Sequence, residues 1–258
     1  MTTAAWESQI ATLDSIGLDE LEETAAMLTR VDRKYLIEPG VWAEVVSSLH
    51  DSVRVLEIDG RRAFRYESVY YDTDDLRMYR EAAHRRPRRT KVRTRRYLDT
   101  GISAIEVKQR EASGATVKSR RMLDELPDLS GGLTSEALDF VEEFPRLASV
   151  AGVLRPSLTT TYLRTTLVTP DGRVTVDTDV AAHDPAGNSV AYDERLIVET
   201  KVTRHAGEVD RALWARGIRP ERVSKYCTSM AALRPDLPAN RWARTLRRHV
   251  DGAAALAS

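Results

Sequence analysis

The chain has 258 residues, 42% of them hydrophobic, and its 39 Lys plus Arg balance its 39 Asp plus Glu. That is enough apolar content for a sizeable core in one large domain or two small ones, and no net charge that would point to nucleic acid or membrane. The single cysteine, Cys227, excludes an internal disulfide and fits a reducing compartment. No apolar run reaches the roughly 18 to 20 residues of a membrane span, and the acidic N-terminus lacks the parts of a signal peptide, so the expectation is a cytoplasmic protein. Cysteine and histidine spacing offers no zinc site, and there is no P-loop, dinucleotide glycine fingerprint or G-x-S-x-G.

In chain order, residues 1–30 carry Glu7, Asp14, Asp19, Glu20, Glu22 and Glu23 against Arg30 alone. Residues 18–30 place Leu18, Leu21, Ala25 and Leu28 on one face, with acids in the first turn, and this predicts a helix. "RVDRKYLIE" (30–38) reads as a strand broken by Pro39 and Gly40, and 41–50 as a short amphipathic helix burying Val41, Trp42, Val45, Val46 and Leu49. "VRVLEI" (53–58) and, after Asp59-Gly60, "AFRYESVYYDT" (63–73) suggest a pair of strands; 74–84 suggests a helical turn. Ten basic residues then fall between Arg77 and Arg96 against Glu81, ending in the strand "TKVRTRRYLDT" (90–100).

Beyond it the pattern is nearly all β: 102–110, 116–123, 159–168, 173–180 and 195–203. Helices are expected at 135–144, capped by Ser135, at 207–217, ending on Gly217, and at 224–233. Pro235 and Pro238 mark the edge of the domain, and the last twenty residues form a basic, then alanine-rich tail.

Residues two apart on a strand share a face. Lys91, Arg93, Arg95 and Tyr97 therefore lie together, as do Glu106, Lys108 and Arg110, Lys118 and Arg120, Tyr162 and Arg164, Arg173, Thr175, Asp177 and Asp179, and Glu199 and Lys201. Each set opposes an apolar one. An antiparallel sheet ordinarily shows such a face to water, but repeated cationic neighbours on one pleated face repel. A face built mainly of Arg and Lys suits a polyanion, and phosphate above all, which guanidinium grips in a bidentate way. The carboxylates Asp32, Glu106, Asp177, Asp179 and Glu199 either neutralise neighbouring arginines or hold the divalent cation that phosphoryl transfer requires.

An ordered series of motifs adds to this: "RVDRKY" (30–35), "YYDT" (70–73), "KVRTRRY" (91–97), "EVK" (106–108), "VKSR" (117–120), "YLR" (162–164), "RVTVDTD" (173–179), "ETK" (199–201) and "VSKY" (223–226). Over about residues 30–226 the chain resembles the catalytic domain of the vacuolar transporter chaperone polyphosphate polymerases, in the triphosphate tunnel metalloenzyme (CYTH-like) superfamily. The resemblance implies an α+β fold, an antiparallel eight-stranded β-barrel whose charged faces line a tunnel, with helices packed outside. It also implies an N-terminal helical segment over 1–29, a tunnel domain over 30–235 and a tail over 236–258.

For the site, the resemblance implies catalytic Lys34, Arg93, Arg95, Arg164, Arg173 and Glu199, and phosphate contacts from Lys91, Lys108, Lys118, Arg120, Lys201, Arg222 and Lys225. Glu199 would lead the metal ligands, with Glu106, Asp177 and Asp32, for Mn²⁺ or Mg²⁺. Many hydrolytic members of the superfamily open with E-x-E-x-K; here the same positions read Arg30, Asp32, Lys34, which resembles the polymerase branch more.

The expected activity is transfer of a nucleotide γ-phosphate, from ATP or another nucleoside triphosphate, to inorganic polyphosphate. The alternatives are a triphosphatase of the same fold and a polyphosphate-binding module without turnover. A nucleic-acid binder is disfavoured because aromatics for base stacking are scarce beside Arg85–Arg96. With no membrane span in the sequence, any coupling to transport would need a membrane-protein partner.

Overall fold

The computed structural model describes residues 3–24, 31–125, 131–192, 195–203 and 205–250. Its first elements are α1 (Thr3–Ala11), β1 (Asp14–Ile16), α2 (Leu18–Thr24), β2 (Val31–Ile37), α3 (Pro39–Ser48), β3 (Arg54–Leu56), β4 (Phe64–Asp72) and α4 (Arg77–Ala83). Then come β5 (Arg89–Tyr97), β6 (Ser103–Arg110), β7 (Thr116–Leu123), α5 (Ser135–Glu142), β8 (Arg155–Thr169) and β9 (Gly172–His183). The chain continues through β10 (Ser189–Ala191), β11 (Leu196–Val202), α6 (Glu208–Ala215), α7 (Lys225–Leu233) and α8 (Ala243–His249).

The main strand order is β2-β11-β9-β8-β4-β5-β6-β7, with antiparallel pairing of β2 to β11, β11 to β9, β4 to β5, β5 to β6 and β6 to β7. This is the expected α+β fold with an antiparallel path of eight strands and helices on their apolar faces. The chain divides into two compact units. The first comprises Met1–Phe64, Tyr162–Val180 and Tyr192–Val223; the second comprises Arg65–Thr161, Ala181–Ala191 and Ser224–Ser258.

In the first unit the apolar parity of each strand is buried. Tyr35 and Ile37 of β2, Val174 and Val176 of β9, and Leu196 and Val198 of β11 pack with Trp6 of α1, Trp42, Val45 and Val46 of α3, and Val209 and Leu213 of α6. Full burial of such side chains is worth about 1.5–3 kcal/mol each, which fixes the face: a slip of one residue would send all of them to the charged side. One polar knot lies in this core. The Asp210 carboxylate accepts from Tyr35 Oη and Thr200 Oγ1 (both 2.7 Å), Arg33 Nη1 (2.9 Å) and the Gly207 N–H (3.1 Å), tying β2 and β11 to the start of α6. Gly217, at φ 76°, ends α6 as the sequence predicts.

In the second unit Val69 and Tyr71 of β4, Val92 of β5, and Ile105 and Val107 of β6 pack under Met78 of α4 and Ala137, Phe140 and Val141 of α5. Asp72 couples β4 to α4: its carboxylate accepts the Thr73, Met78 and Tyr79 N–H groups at 2.8–2.9 Å.

Several expectations are corrected. Residues 53–58 and 63–73 give β3 and β4, but β3 pairs with β1, in parallel, and with β8. The cap of α5 is Thr134, whose Oγ1 accepts from the Ala137 N–H (3.3 Å), not Ser135, the first helical residue. The segment expected as a tail, whose order the sequence leaves open, contains α8, which buries Thr245 and Leu246. The helix expected over 18–30 is α2 up to Thr24; the remainder lies outside the described residues. No described helix is long and apolar enough to cross a membrane.

Gly172 begins β9 at φ 155°, with the Lys201 carbonyl oxygen of β11 only 2.2 Å from where a Cβ would sit. Backbone meets backbone there, so nothing flexible can yield. Gly172→Ala is expected to lower unfolding stability by about 2 kcal/mol or more, measured as a reduced urea midpoint; an unchanged midpoint would contradict the close approach.

Candidate functional site

The charged parity of each strand carries the predicted residues. In the second unit, Arg93 of β5 stands directly opposite Glu106 of β6, which stands opposite Arg120 of β7; one rung along, Lys91, Lys108 and Lys118 form a row. Glu106 is 2% exposed and is the hub of this face. Arg93 Nε and Nη2 reach its Oε2 at 2.7 and 2.5 Å, Lys118 Nζ reaches Oε1 at 2.5 Å, and Arg95 Nη1 lies 3.6 Å from Oε1. Burial alone would push the Glu106 carboxyl up, but Arg93, Arg95 and Lys118 together outweigh it and hold it well below the usual carboxylate range. Burial lowers Lys118, and Glu106 pulls it back.

Aromatic rings fix the arginines from the other side. Arg93 Nη1 donates to Tyr70 Oη (3.1 Å) and its guanidinium lies 5.8 Å from that ring; Arg95 lies 5.4 Å from the Tyr66 ring. Tyr70 stacks on Tyr226 of α7 at 4.9 Å, and Tyr226 Oη donates to Asp72 (2.6 Å). Burial raises the Asp72 carboxyl against the pull of Tyr226 and three backbone donors. Lys91 Nζ donates to Ser224 Oγ (2.8 Å), the residue that caps α7 by accepting from the Cys227 N–H (3.2 Å). Lys225, first in that helix, is half-buried, and Arg120 donates to Tyr97 Oη (3.2 Å).

In the first unit the face is more evenly balanced. Glu199 of β11 stands opposite Lys34 of β2 on one side and Thr175 of β9 on the other; Lys201 stands opposite Asp32 and Arg173. Arg164 of β8 grips Asp177 with Nε and Nη2 at 2.6 and 2.8 Å. Lys201 Nζ lies 3.2 Å from Glu199 and 3.3 Å from Thr175 Oγ1. Burial pushes the Lys201 ammonium down to about 8; Glu199 and Asp32 pull it up, while Arg164 and Arg173 push it down. The Glu221 N–H donates to the Lys34 carbonyl (2.7 Å), and Arg222, beside it, is exposed.

The four carboxylates expected to bind metal differ. Among the described residues no three His, Cys, Asp or Glu side chains come together to hold a metal ion. Asp177 meets Arg164 with both oxygens, and Glu106 is ringed by cations. Both fit the positioning of cations better than metal ligation. Glu199, with Asp32 on the neighbouring strand, fits the way Mg²⁺ or Mn²⁺ is held by one or two carboxylates together with substrate phosphates. Arg30, the departure from the E-x-E-x-K signature, lies outside the described residues.

Sequence reasoning missed the parts of Tyr66, Tyr70, Asp72 and Tyr226. The signal was present in the alternation of β4, where Tyr66, Ser68, Tyr70 and Asp72 share the parity that pairs with Arg93 and Arg95.

Antiparallel strands with a cationic parity, helices on the apolar parity, and buried carboxylates that anchor the cations together make an α+β fold that presents one strongly charged face. The chain matches the VTC domain model over residues 29–234 and belongs to the VTC domain family. Among solved structures it is similar to a Hippeastrum protein described as revealing a dominant triphosphatase activity, with 14% identity, 83% of this chain and 100% of that one covered, and a TM-score of 0.48. It is also similar to a candidate adenylate cyclase from Bacillus halodurans, with 14% identity, 76% and 94% covered, TM-score 0.48. A third likeness is to the RNA triphosphatase Pct1 of Schizosaccharomyces pombe, with 15% identity, 72% and 68% covered, TM-score 0.28. No curated protein matches the sequence.

Two outcomes test this geometry. Glu106→Gln leaves the buried Arg95, and the partly exposed Arg93 and Lys118, without their counter-charge and is expected to destabilise the protein by about 1–3 kcal/mol; millimolar tripolyphosphate should raise the melting temperature of this variant more than that of the wild type. Lys201, charged below pH 8 and neutral above, favours anions only when protonated. Tripolyphosphate affinity should therefore fall between pH 7 and 9 by about tenfold more in the wild type than in Lys201→Arg, and identical titration of the two would contradict the assignment.

Proposed function

We propose that this protein is a polyphosphate polymerase, transferring the γ-phosphate of ATP to the end of an inorganic polyphosphate chain. Membership of the VTC family supports a role with polyphosphate or triphosphate, and the observation that carries the finer reading is the state of the buried carboxylates. Hydrolysis needs a base to take a proton from water. Glu106 is held far below the range of a useful base, and Asp177 is bound on both oxygens by Arg164. A polyphosphate end needs no such base, because its terminal oxygen is already anionic.

In the reaction that oxygen forms a bond to the γ-phosphorus while the bond from that phosphorus to the β–γ bridging oxygen breaks, and ADP leaves with the bonding pair. Most of the acceleration comes from positioning and charge neutralisation. Arg93, Arg95 and Lys118, held by Glu106, neutralise equatorial oxygens, with Lys91, Lys108, Arg120 and Lys225 along the same chain of phosphates. In the first unit Arg164, fixed by Asp177, and Arg173, Lys34, Lys201 and Arg222 offer further cations to phosphate oxygens. Glu199, assisted by Asp32, would hold a Mn²⁺ or Mg²⁺ carried on the phosphates, which supplies further neutralisation of their charge.

Purified protein with ATP and Mn²⁺ is expected to make long polyphosphate, resolved as a ladder on a gel, and Glu199→Gln to slow it by about a hundredfold or more. Accumulation of inorganic phosphate without chains would replace this reading by a triphosphatase, and tight binding without turnover by a binding module.

A further inference from the structure

The residues beyond the VTC domain match, which ends at 234, dock on the second unit. Leu237, Trp242, Leu246 and Val250 are buried there. Two hydrogen bonds tie the approach to α8 to α4: Tyr79 Oη donates to the Pro238 carbonyl (3.2 Å), and Arg241 Nη1 donates to the Ala82 carbonyl (2.8 Å). The Trp242 ring packs on the Tyr79 ring at 5.6 Å.

From Tyr79 buried rings continue to the charged face. Tyr79 meets Tyr226 of α7 edge to face at 6.4 Å, and Tyr226 stacks on Tyr70 of β4 at 4.9 Å, the planes 15° apart. Asp72 locks the middle of this row, since its Oδ2 accepts both the Tyr79 N–H (2.9 Å) and the Tyr226 hydroxyl (2.6 Å). Tyr70 ends the row, its hydroxyl accepting from Arg93 Nη1 (3.1 Å). All four rings are 5% exposed or less, and in a close-packed interior none can shift without displacing the next.

The bond to Tyr70 matters because of how Glu106 holds Arg93. Nε and Nη2 of Arg93 converge on the single oxygen Oε2, about which the guanidinium plane could swing. Tyr70 adds a third point and fixes that plane.

We propose that the C-terminal segment is a positioning element of the phosphate site: Trp242, acting through Tyr79, Tyr226 and Tyr70, sets the orientation of the Arg93 guanidinium and thereby the affinity for phosphate. This rests on the reading of Arg93 as a phosphate contact. A cation held in place gives up little freedom on binding, so loosening it weakens the complex. A tryptophan that merely filled the core would affect stability alone. One that acts through Arg93 has an effect on the ligand that vanishes when Arg93 is removed.

The test is a double-mutant cycle on tripolyphosphate affinity, measured by calorimetry on the full chain, with the urea midpoint of each variant followed alongside. The cycle comprises wild type, Trp242→Ala, Arg93→Gln and the two changes combined. Expected are binding about fivefold weaker in Trp242→Ala, no further loss when that change is added to Arg93→Gln, and recovery in Trp242→Phe, which keeps a ring against Tyr79. Tyr226→Phe, which loses only the hydroxyl that Asp72 accepts, carries the same cycle if Trp242→Ala does not fold. Unchanged affinity in the folded variant, or an equal loss with and without Arg93, overturns the positioning role. If Arg93→Gln binds tripolyphosphate as well as the wild type does, or neither binds it, the reading of Arg93 as a phosphate contact fails and takes the positioning role with it.

Discussion

Like charges repel when they are neighbours on a pleated face, and β5, β6 and β7 place Lys91, Arg93, Arg95, Lys108, Lys118 and Arg120 on one such face. Glu106 makes this tolerable. Buried and reached by Arg93, Arg95 and Lys118, it fixes three cations in place. A buried pair of this kind contributes little net stability, because desolvation offsets most of the attraction; its consequence is geometric. Beside this hub, Lys91, Lys108 and Lys118 stand in one row across β5, β6 and β7. Under the proposed function, such a face would present its donors already set before a substrate arrives.

The first unit solves the same problem differently. Its face alternates signs: Asp32 against Lys201, Lys34 against Glu199, Arg164 against Asp177. With the charges nearly matched, the balance can be tuned by one proton, and Lys201, pushed by burial down to about 8, is the group that can lose it.

Position depends on groups that carry no charge to the substrate. Asp72 accepts the first turns of α4 and the Tyr226 hydroxyl; Tyr226 supports Tyr70; Tyr70 holds Arg93. In the first unit Asp210 binds β2, β11 and α6 through four donors, which fixes the strands carrying Lys34 and Glu199. Both carboxylates sit at the start of a helix, where unpaired N–H groups are available, so each unit aligns its charged face through a helix that packs on the opposite one.

Much of this was legible without a structure. Side chains on a strand alternate with a period of two whatever the fold, so the sequence determined which residues share the charged face, which are buried, and where the strands and most helices lie. It also carried the motif series of the family. Partnership across strands was not legible, because register depends on which strands neighbour which and on where turns end. That Glu106 and Asp177 would be occupied by arginines, that Tyr70 and Tyr226 would stack, and that β3 would pair with β1 were decided only by tertiary structure. Each is a contact between residues far apart in the chain, set by how the strands and helices pack and beyond the reach of any local pattern.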